Sequence, residues 1–384
     1  MPTNRLGSRA GLVRGCHASY VPCRCGRDWG VVMTAVSAWA GSKSGDGSGS
    51  SSSDAEQIVG ASRRPSKPQL SIGLRNFAST APADWRHILD QARAADLAGV
   101  DRIFVPDHLA FGSDLTGYSK PGQGGVVGGV QPTEADGEWL DSLTILGAIA
   151  AVTDRVRLAT NILVAPLRGA VVLAKVASTI DVISHGRFDL GVGIGWQKAE
   201  YRAVGVEFSE RGRVLDETLA ACRDLWTSRE ASYIAKDFSL DGIHMMPKPV
   251  RPDGVPVWIG GRPIPATARR LVRYGTGWIP WGVTSESFGE AAQEMRRLVE
   301  DEGGDFGTLQ IALGLPTVVS ASTGGLDLPA MFEPVPDLVQ LGVSDFRTMV
   351  RIPHDAEAAR SSFEDLLAEF ERALPSGEKA DEAL

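Results

Sequence analysis

From residue 67 onward the chain alternates between two hydrophobic rhythms. Short runs rich in Val, Ile and Leu, bounded by Gly, Pro or Asp, read as strands. Longer segments in which apolar residues return every three or four positions read as helices. The first unit pairs a strand over 69–74 with a helix over 83–98, where Trp85, Ile88, Leu89 and Ala92 share a face and Gly99 supplies the stop. Further strands are expected at 102–105, 156–164, 187–193, 255–260, 278–281, 309–320 and 345–352. Helices are expected at 140–152, 170–183, 210–227, 265–274, 287–301, 330–341 and 356–374, with 330–341 the poorest of them. Leu215, Leu219, Cys222 and Trp226 lie on one face of the 210–227 helix, which makes Cys222 a core residue. Two segments interrupt the rhythm. Residues 109–139, with eight glycines, read as a lid or substrate loop, and 231–254 as an inserted hairpin and loop. Eight consecutive strand–helix units predict an α/β fold, a (β/α)8 TIM barrel with insertions, rather than an open doubly wound sheet. In such a barrel the strand C-terminal ends and the loops that follow them carry the chemistry.

Residues 1–66 follow neither rhythm. They carry eight Lys/Arg against four Asp/Glu, whereas 67–384 carry 31 against 43. Eleven of the thirteen residues in 41–53 are Gly or Ser, too few apolar groups to offset the entropy of ordering the chain. We read 1–66 as a disordered low-complexity N-terminal extension and 67–384 as the barrel domain. An apolar run at 31–40 behind Arg24 and Arg27 has the outline of a secretory leader but lacks a small-x-small cleavage site, and Met33 is an internal start candidate. Cys16, Cys23 and Cys25 are separated by six residues and by one, which is not the paired spacing of a zinc site.

Composition narrows the function classes. With 43% apolar and 22% charged residues the chain is an ordinary globular one. No run approaches the roughly 20 apolar residues of a spanning helix. The net charge of −8 argues against a nucleic-acid partner. Four cysteines are too few for a disulfide framework and fit a reducing cytoplasm. The expected partner is a small-molecule substrate, with no nucleic acid and no membrane, and a homodimer is one open assembly. The six histidines include no pair at i, i+4, so no metal set is expected.

The strand ends hold the candidate chemistry. Pro106-Asp107-His108 follows strand two and sets a carboxylate beside an imidazole, either as turn-stabilising groups or as an acid/base pair working near neutral pH. Asn161 is polar in an otherwise apolar strand three and needs a partner, and Arg168 opens the next loop. Strand four ends in Gly191-Val192-Gly193-Ile194-Gly195-Trp196, which lacks the Gly-x-Gly-x-x-Gly dinucleotide spacing. Its alternate glycines clear one face for a flat ligand. Strand five ends in Gly260-Gly261-Arg262 before a helix, a place where backbone N–H groups bind anions. Together these glycines favour a flat, phosphate-bearing cofactor, although each pair could also be a tight turn.

These residues, with GRFDLGVGIGW (186–196), AEYRAVGVEFSERGRVLDE (199–217), PVWIGG (256–261) and GWIP (277–280), resemble the luciferase-like monooxygenase superfamily, most closely its branch using the deazaflavin F420. The resemblance covers about 69–374. It implies a flavin or deazaflavin at the strand C-termini and a non-prolyl cis peptide at Asn161–Ile162 that forms a bulge in strand three backing the ring. It implies that Asp107 and His108 lie near the redox edge and that Gly260, Gly261 and Arg262 form the phosphate turn. Gly193, Gly195 and Trp196 complete the expected cofactor contacts. Trp196 stands where F420 sugar-phosphate dehydrogenases of the superfamily carry a glutamate, which argues against that substrate, and Ala199 precedes Glu200 where many relatives have Asn. The leading expectation is an F420-dependent oxidoreductase, with His108 as proton donor or polarising group and Asp107 orienting it or bonding the cofactor. The alternatives are a reduced-FMN monooxygenase and a non-catalytic flavin-binding barrel.

Overall fold

Each apolar run supplies one stave of a closed barrel. In the computed structural model, which describes residues 65, 67–121, 129 and 131–375, the staves are β1 (Gln69–Gly73), β2 (Arg102–Val105), β3 (Arg157–Thr160), β4 (Phe188–Gly193), β5 (Val257–Gly261), β6 (Gly275–Pro280), β7 (Gln310–Gly314) and β8 (Asp345–Thr348). All pair in parallel: β1 lies between β8 (Leu70 opposite Phe346) and β2 (Ile72 opposite Ile103), and β5 closes the ring on β4 (Val257 opposite Leu190). The expectations for the N-terminal extension, its linker and its three cysteines lie outside the described residues, as do positions 122–128 and 130 of the glycine-rich insertion.

The helices follow from the 3.6-residue spacing and from their caps: α1 (His87–Ala98), α2 (Ser142–Ala150), α3 (Ala170–Ile183), a short α4 (Lys198–Ala203), α5 (Arg211–Thr227), α6 (Pro265–Tyr274), α7 (Phe288–Asp301), α8 (Leu328–Phe332), α9 (Val335–Gln340) and α10 (Ala356–Ala373). Gly99 ends α1 at φ 88°, a conformation that glycine adopts without a Cβ penalty. Asp141 and Asp355 cap α2 and α10 by accepting backbone N–H bonds. Leu215, Leu219, Cys222 and Trp226 of α5 are all buried, and burial pushes the Cys222 thiol up to about 12, so it stays a protonated core group. The helix expected over 330–341 is broken into α8 and α9 because Pro334 and Pro336 bring no N–H to a continuous ladder. The inserted hairpin is present as Ala231–Ile234 against Ser239–Ile243.

Side chains alternate along every stave. Leu70, Ile72, Ile103, Leu190, Val192 and Phe346 join the apolar layer between strands and helices. The opposite positions, Ser71, Arg102, Asp189, Asp345 and Arg347, are buried polar groups joined to one another by hydrogen bonds and ion pairs across the barrel interior. Strand seven stops at Gly314 rather than running to 320, and strand eight at Thr348 rather than 352, where each leaves the closed ring for the loops that form the cleft.

Candidate functional site

Strand three is not the continuous run expected over 156–164. After Thr160 it breaks and resumes at Leu163–Val164. Ala159 pairs with Asp189 and Leu163 with Val192, so β3 advances four residues while β4 advances three. The extra residue makes a bulge, and the Asn161–Ile162 peptide within it is cis, as the resemblance implies. The glycines of β4 are shaped by this bulge. A Cβ on Gly191 would lie 2.1 Å from the Thr160 carbonyl oxygen, and one on Gly193 would lie 2.8 Å from Ile162 Cδ1. The face those glycines clear is therefore filled by the bulge, and Ile162 stands above Trp258, Ile279 and Ala312 at the top of the barrel.

The carboxylate that reaches His108 is Glu200, and the expected Asp107–His108 pair is not formed. Asp107 is buried beneath the mouth, where it accepts from Ser142 Oγ (2.8 Å), Val164 N (3.0 Å) and both arms of Arg168 (2.7 and 2.8 Å). With those acceptor sites used, Asp107 clamps the end of β2 to α2 and to the resumed strand three. Arg168 also holds Asp141 at 2.8 Å. His108 Nδ1 lies 3.1 Å from Glu200 Oε2, while Glu200 Oε1 accepts from Leu109 N (2.9 Å) and Ala110 N (3.4 Å). The Glu200 side chain is 1% exposed. In the tautomer with its proton on Nδ1, His108 donates to Glu200 Oε2 and Nε2 is the ring nitrogen left for the cleft. In the sequence Glu200 stood out only as the glutamate that Ala199 precedes where many relatives have Asn.

Aromatic rings enclose this imidazole. Phe111 sits 4.5 Å from it, Trp139 meets it edge-on at 5.1 Å and Trp196 at 6.2 Å; Phe77 stacks on Trp139 and Tyr118 on the edge of Trp196. Low polarity around His108 strengthens any hydrogen bond it makes. His108, Trp139, Trp196, Asn161, Ile162, Gly193, Gly195, Gly260, Gly261 and Arg262 all line one cleft of about 1510 Å3 over the barrel mouth. That exceeds an ordinary small-molecule pocket, roughly 300–1,000 Å3, and leaves room for a planar cofactor together with a substrate.

The cleft also has a cationic region. Arg211 stacks on Phe208 at 3.9 Å and Lys198 lies over the same ring at 5.6 Å, while Arg270 at the edge of the cleft is neutralised by Asp216 at 2.6 Å. Arg211 Nε is buried without a partner, and so is Arg347 Nη2 at the barrel centre. Buried donors of this kind call for acceptors, and a phosphate at the first and a ring oxygen at the second would supply them. The residues present thus fit a phosphate-bearing planar cofactor. The Gly260-Gly261-Arg262 turn borders the cleft, but Gly261 has a packing reason of its own, because a Cβ there would lie 2.7 Å from Thr267 Oγ1 on α6. Arg211, Arg270 and Arg347 were not singled out from the sequence, where each reads as an ordinary charged position. Among the described residues no group of His, Cys, Asp and Glu side chains is arranged to hold a metal ion, and no helix is long and apolar enough to cross a membrane.

With this geometry in place, comparison with known proteins is informative. Residues 70–323 match the family described as luciferase-like monooxygenase. The chain is similar to Mycobacterium tuberculosis "Uncharacterized protein Rv0953c", 33% identical over 189 residues, which is 49% of this chain and 65% of that protein. It is also similar to the pyrimidine monooxygenase RutA of Yersinia enterocolitica, 36% identical over 118 residues, 29% of this chain and 32% of that one. Among solved structures, an F420-dependent secondary alcohol dehydrogenase holding an F420-acetone adduct superposes with a TM-score of 0.61 at 16% identity, over 79% of this chain and 99% of that one. The monooxygenase RslO1 from Streptomyces bottropensis superposes at 0.58 with 19% identity, over 78% and 99%. At these identities the structural likeness speaks for the fold.

Proposed function

Because the chain belongs to the luciferase-like monooxygenase family, an oxidoreductase family built on this barrel, we propose that it is a coenzyme F420-dependent oxidoreductase passing a hydride between the deazaflavin and a small organic substrate. The observation that carries this reading is the His108–Glu200 pair facing the bulge-floored cleft. When bound, the deazaflavin supplies two-electron hydride chemistry. Hydride exchange at an alcohol or carbonyl carbon leaves one proton to be gained or lost at the neighbouring oxygen. His108 Nε2 is the group that takes or returns it, and Glu200 holds the ring so that Nε2 faces the cleft. Phe77, Trp139 and Trp196 keep bulk water from that proton, and Arg211 with Lys198 forms the anchor for a phosphate. The F420 dehydrogenase among the structural neighbours supports the reading by analogy of fold.

A second reading, a reduced-FMN monooxygenase, is favoured by one observation: the similarity to a pyrimidine monooxygenase reaches 36% over its aligned stretch, against 16% to the F420 enzyme above. Both rings fit the cleft, so binding separates the readings. Titration of the purified protein with F420 and with FMN, each oxidised and reduced under anaerobic conditions, is expected to give tighter binding of F420 by about tenfold or more, and oxidation of a secondary alcohol with loss of the F420 absorbance band. Preference for FMN with oxygen consumption would establish the second reading instead.

A further inference from the structure

The barrel interior contains a chain of alternating charges. Arg157 Nη2 meets Asp189 Oδ1 at 2.6 Å, Asp189 Oδ2 meets Arg102 Nε at 3.0 Å, Arg102 Nη1 meets Asp345 Oδ2 at 2.8 Å, and Arg347 Nε meets that same oxygen at 2.8 Å. Each aspartate is shared by two guanidinium groups, so the chain begins and ends in an arginine. The Arg157 end is the solvent-touched one, at the start of β3, with the Gly186 carbonyl at 3.5 Å and Asp181 as a nearby carboxylate. Asp101 stands by Arg102, also at the strand N-terminal end.

The Arg347 end lies under the cleft and differs from the other. Its side chain is 3% exposed, yet Arg347 is one of the cleft-lining residues together with Asn161, Ile162 and Gly260. Nε is used on Asp345, Nη1 donates to Asn161 Oδ1 at 2.9 Å beside the cis peptide, and Nη2 has no partner. The rings flanking it, Trp258 at 4.9 Å and Phe104 at 5.8 Å, offer π-faces but no countercharge. Asp345, already shared with Arg102, is the carboxylate that Arg347 contacts, and Asp107 is committed to Arg168. Burial and the neighbouring Arg102 both disfavour the charged guanidinium, as expected for a cation short of negative partners.

We infer that Arg347 is a recognition residue for the cofactor ring: its free Nη2–H donates to a ring oxygen, and its half-compensated charge makes the cleft floor select the anionic state of the ring. This rests on the reading that the cleft holds a flavin or deazaflavin. Both classes have such a state. Reduced FMN loses a proton at N1, placing charge on the N1–C2 carbonyl edge, and oxidised F420 loses its 8-hydroxyl proton to give an anion delocalised across the ring. A neutral ring would leave the buried cation as it is, whereas an anionic ring relieves it and satisfies the orphan donor together.

The test compares dissociation constants for anionic and neutral ring states, read from cofactor absorbance and fluorescence. Oxidised against reduced FMN, and F420 across a pH series spanning its hydroxyl titration, are measured with wild type, Arg347→Met and Arg347→Gln. Wild type is expected to bind the anionic state about tenfold or more tightly, and both variants to narrow that ratio to about threefold or less. Arg347→Gln keeps a donor for Asp345 and carries the measurement if Arg347→Met does not fold. Arg157→Met, at the far end of the same chain, is expected to lower the melting temperature and leave the ratio alone, which separates recognition from bracing of the barrel. A variant that keeps the wild-type ratio overturns the inference. Wild type binding a ring with no preference between states overturns it too, while the cofactor reading stands; wild type binding neither ring removes both.

Discussion

His108 is held by Glu200, ninety-two positions further along the chain. The strand-end rule was enough to locate the histidine, because it follows β2 directly. Nothing in local spacing distinguished its adjacent carboxylate, Asp107, from the one that reaches it through space. Asp107 and Glu200 therefore divide two roles, the first clamping Arg168, Ser142 and Val164, the second orienting the imidazole. Two substitutions separate them from packing. His108→Ala is expected to lower kcat by about 10² or more with little change in melting temperature or cofactor affinity, since the ring meets the cleft and carries no backbone bond. Glu200→Ala is expected to lower kcat by about tenfold or more while cofactor affinity holds, and 15N spectra of the His108 ring should change from a single Nδ1–H tautomer to a mixture. A Glu200→Ala protein with an unchanged tautomer would assign Glu200 to the Leu109–Ala110 turn alone.

At the scale of elements, the glycines of β4 and β5 have packing reasons that the sequence did not show. Gly191 and Gly193 stood out as openings for a flat ligand, and Gly261 as part of an anion-binding turn. The structure gives each a steric cause within the protein: the bulge of strand three for the first two and Thr267 of α6 for the third. Hydrophobic periodicity did not show that bulge, which the family resemblance alone implied, because it is a mismatch of one residue between β3 and β4, a property of the pair and of neither strand alone. The packing at Gly261 makes a specific prediction. Gly261→Ala should destabilise the protein by about 1–3 kcal/mol through overpacking against Thr267. Adding Thr267→Ala removes the Oγ1 and Cγ2 atoms and should restore much of that loss, giving a clear coupling energy in a thermal-denaturation cycle. Independent effects of the two substitutions would return Gly261 to a purely ligand-facing role.

For the whole molecule, the buried charge chain links stability to acid. Burial alone would raise the Asp189 carboxyl, but Arg157 and Arg102 outweigh it and hold the group down to about 2. Its folded value lies below the unfolded one of about 3.9, so the stability it contributes is present above about pH 4 and is lost as pH falls toward about 2. Denaturant midpoints measured from pH 6 downward should therefore fall steeply across that window in wild type. Asp189→Asn should be less stable at neutral pH, because it leaves the buried Arg102 and the partly buried Arg157 short of a partner, and should lose less on acidification. A variant with the wild-type acid slope would show that other carboxylates govern the transition.

The alternation of strands and amphipathic helices, their number, the helix faces that bury Leu215, Cys222 and Trp226, and the position of His108 at a strand end were all determined by the sequence alone. These depend on residues within one turn or one strand of each other, and local periodicity reports them directly. The partners of His108 and the charge chain from Arg157 to Arg347 were decided only by tertiary structure, and the bulge at Asn161 was implied by the family resemblance but not by the pattern of residues. A period of two along β8 says that Asp345 and Arg347 share a face, and the same holds for Arg102 and Phe104 on β2. It does not say whether that face meets water or another strand. Closing the eight-stave ring turns the polar face of each strand into the interior of the barrel, and that closure makes a buried ion network out of residues that read, one strand at a time, as solvent-facing charges.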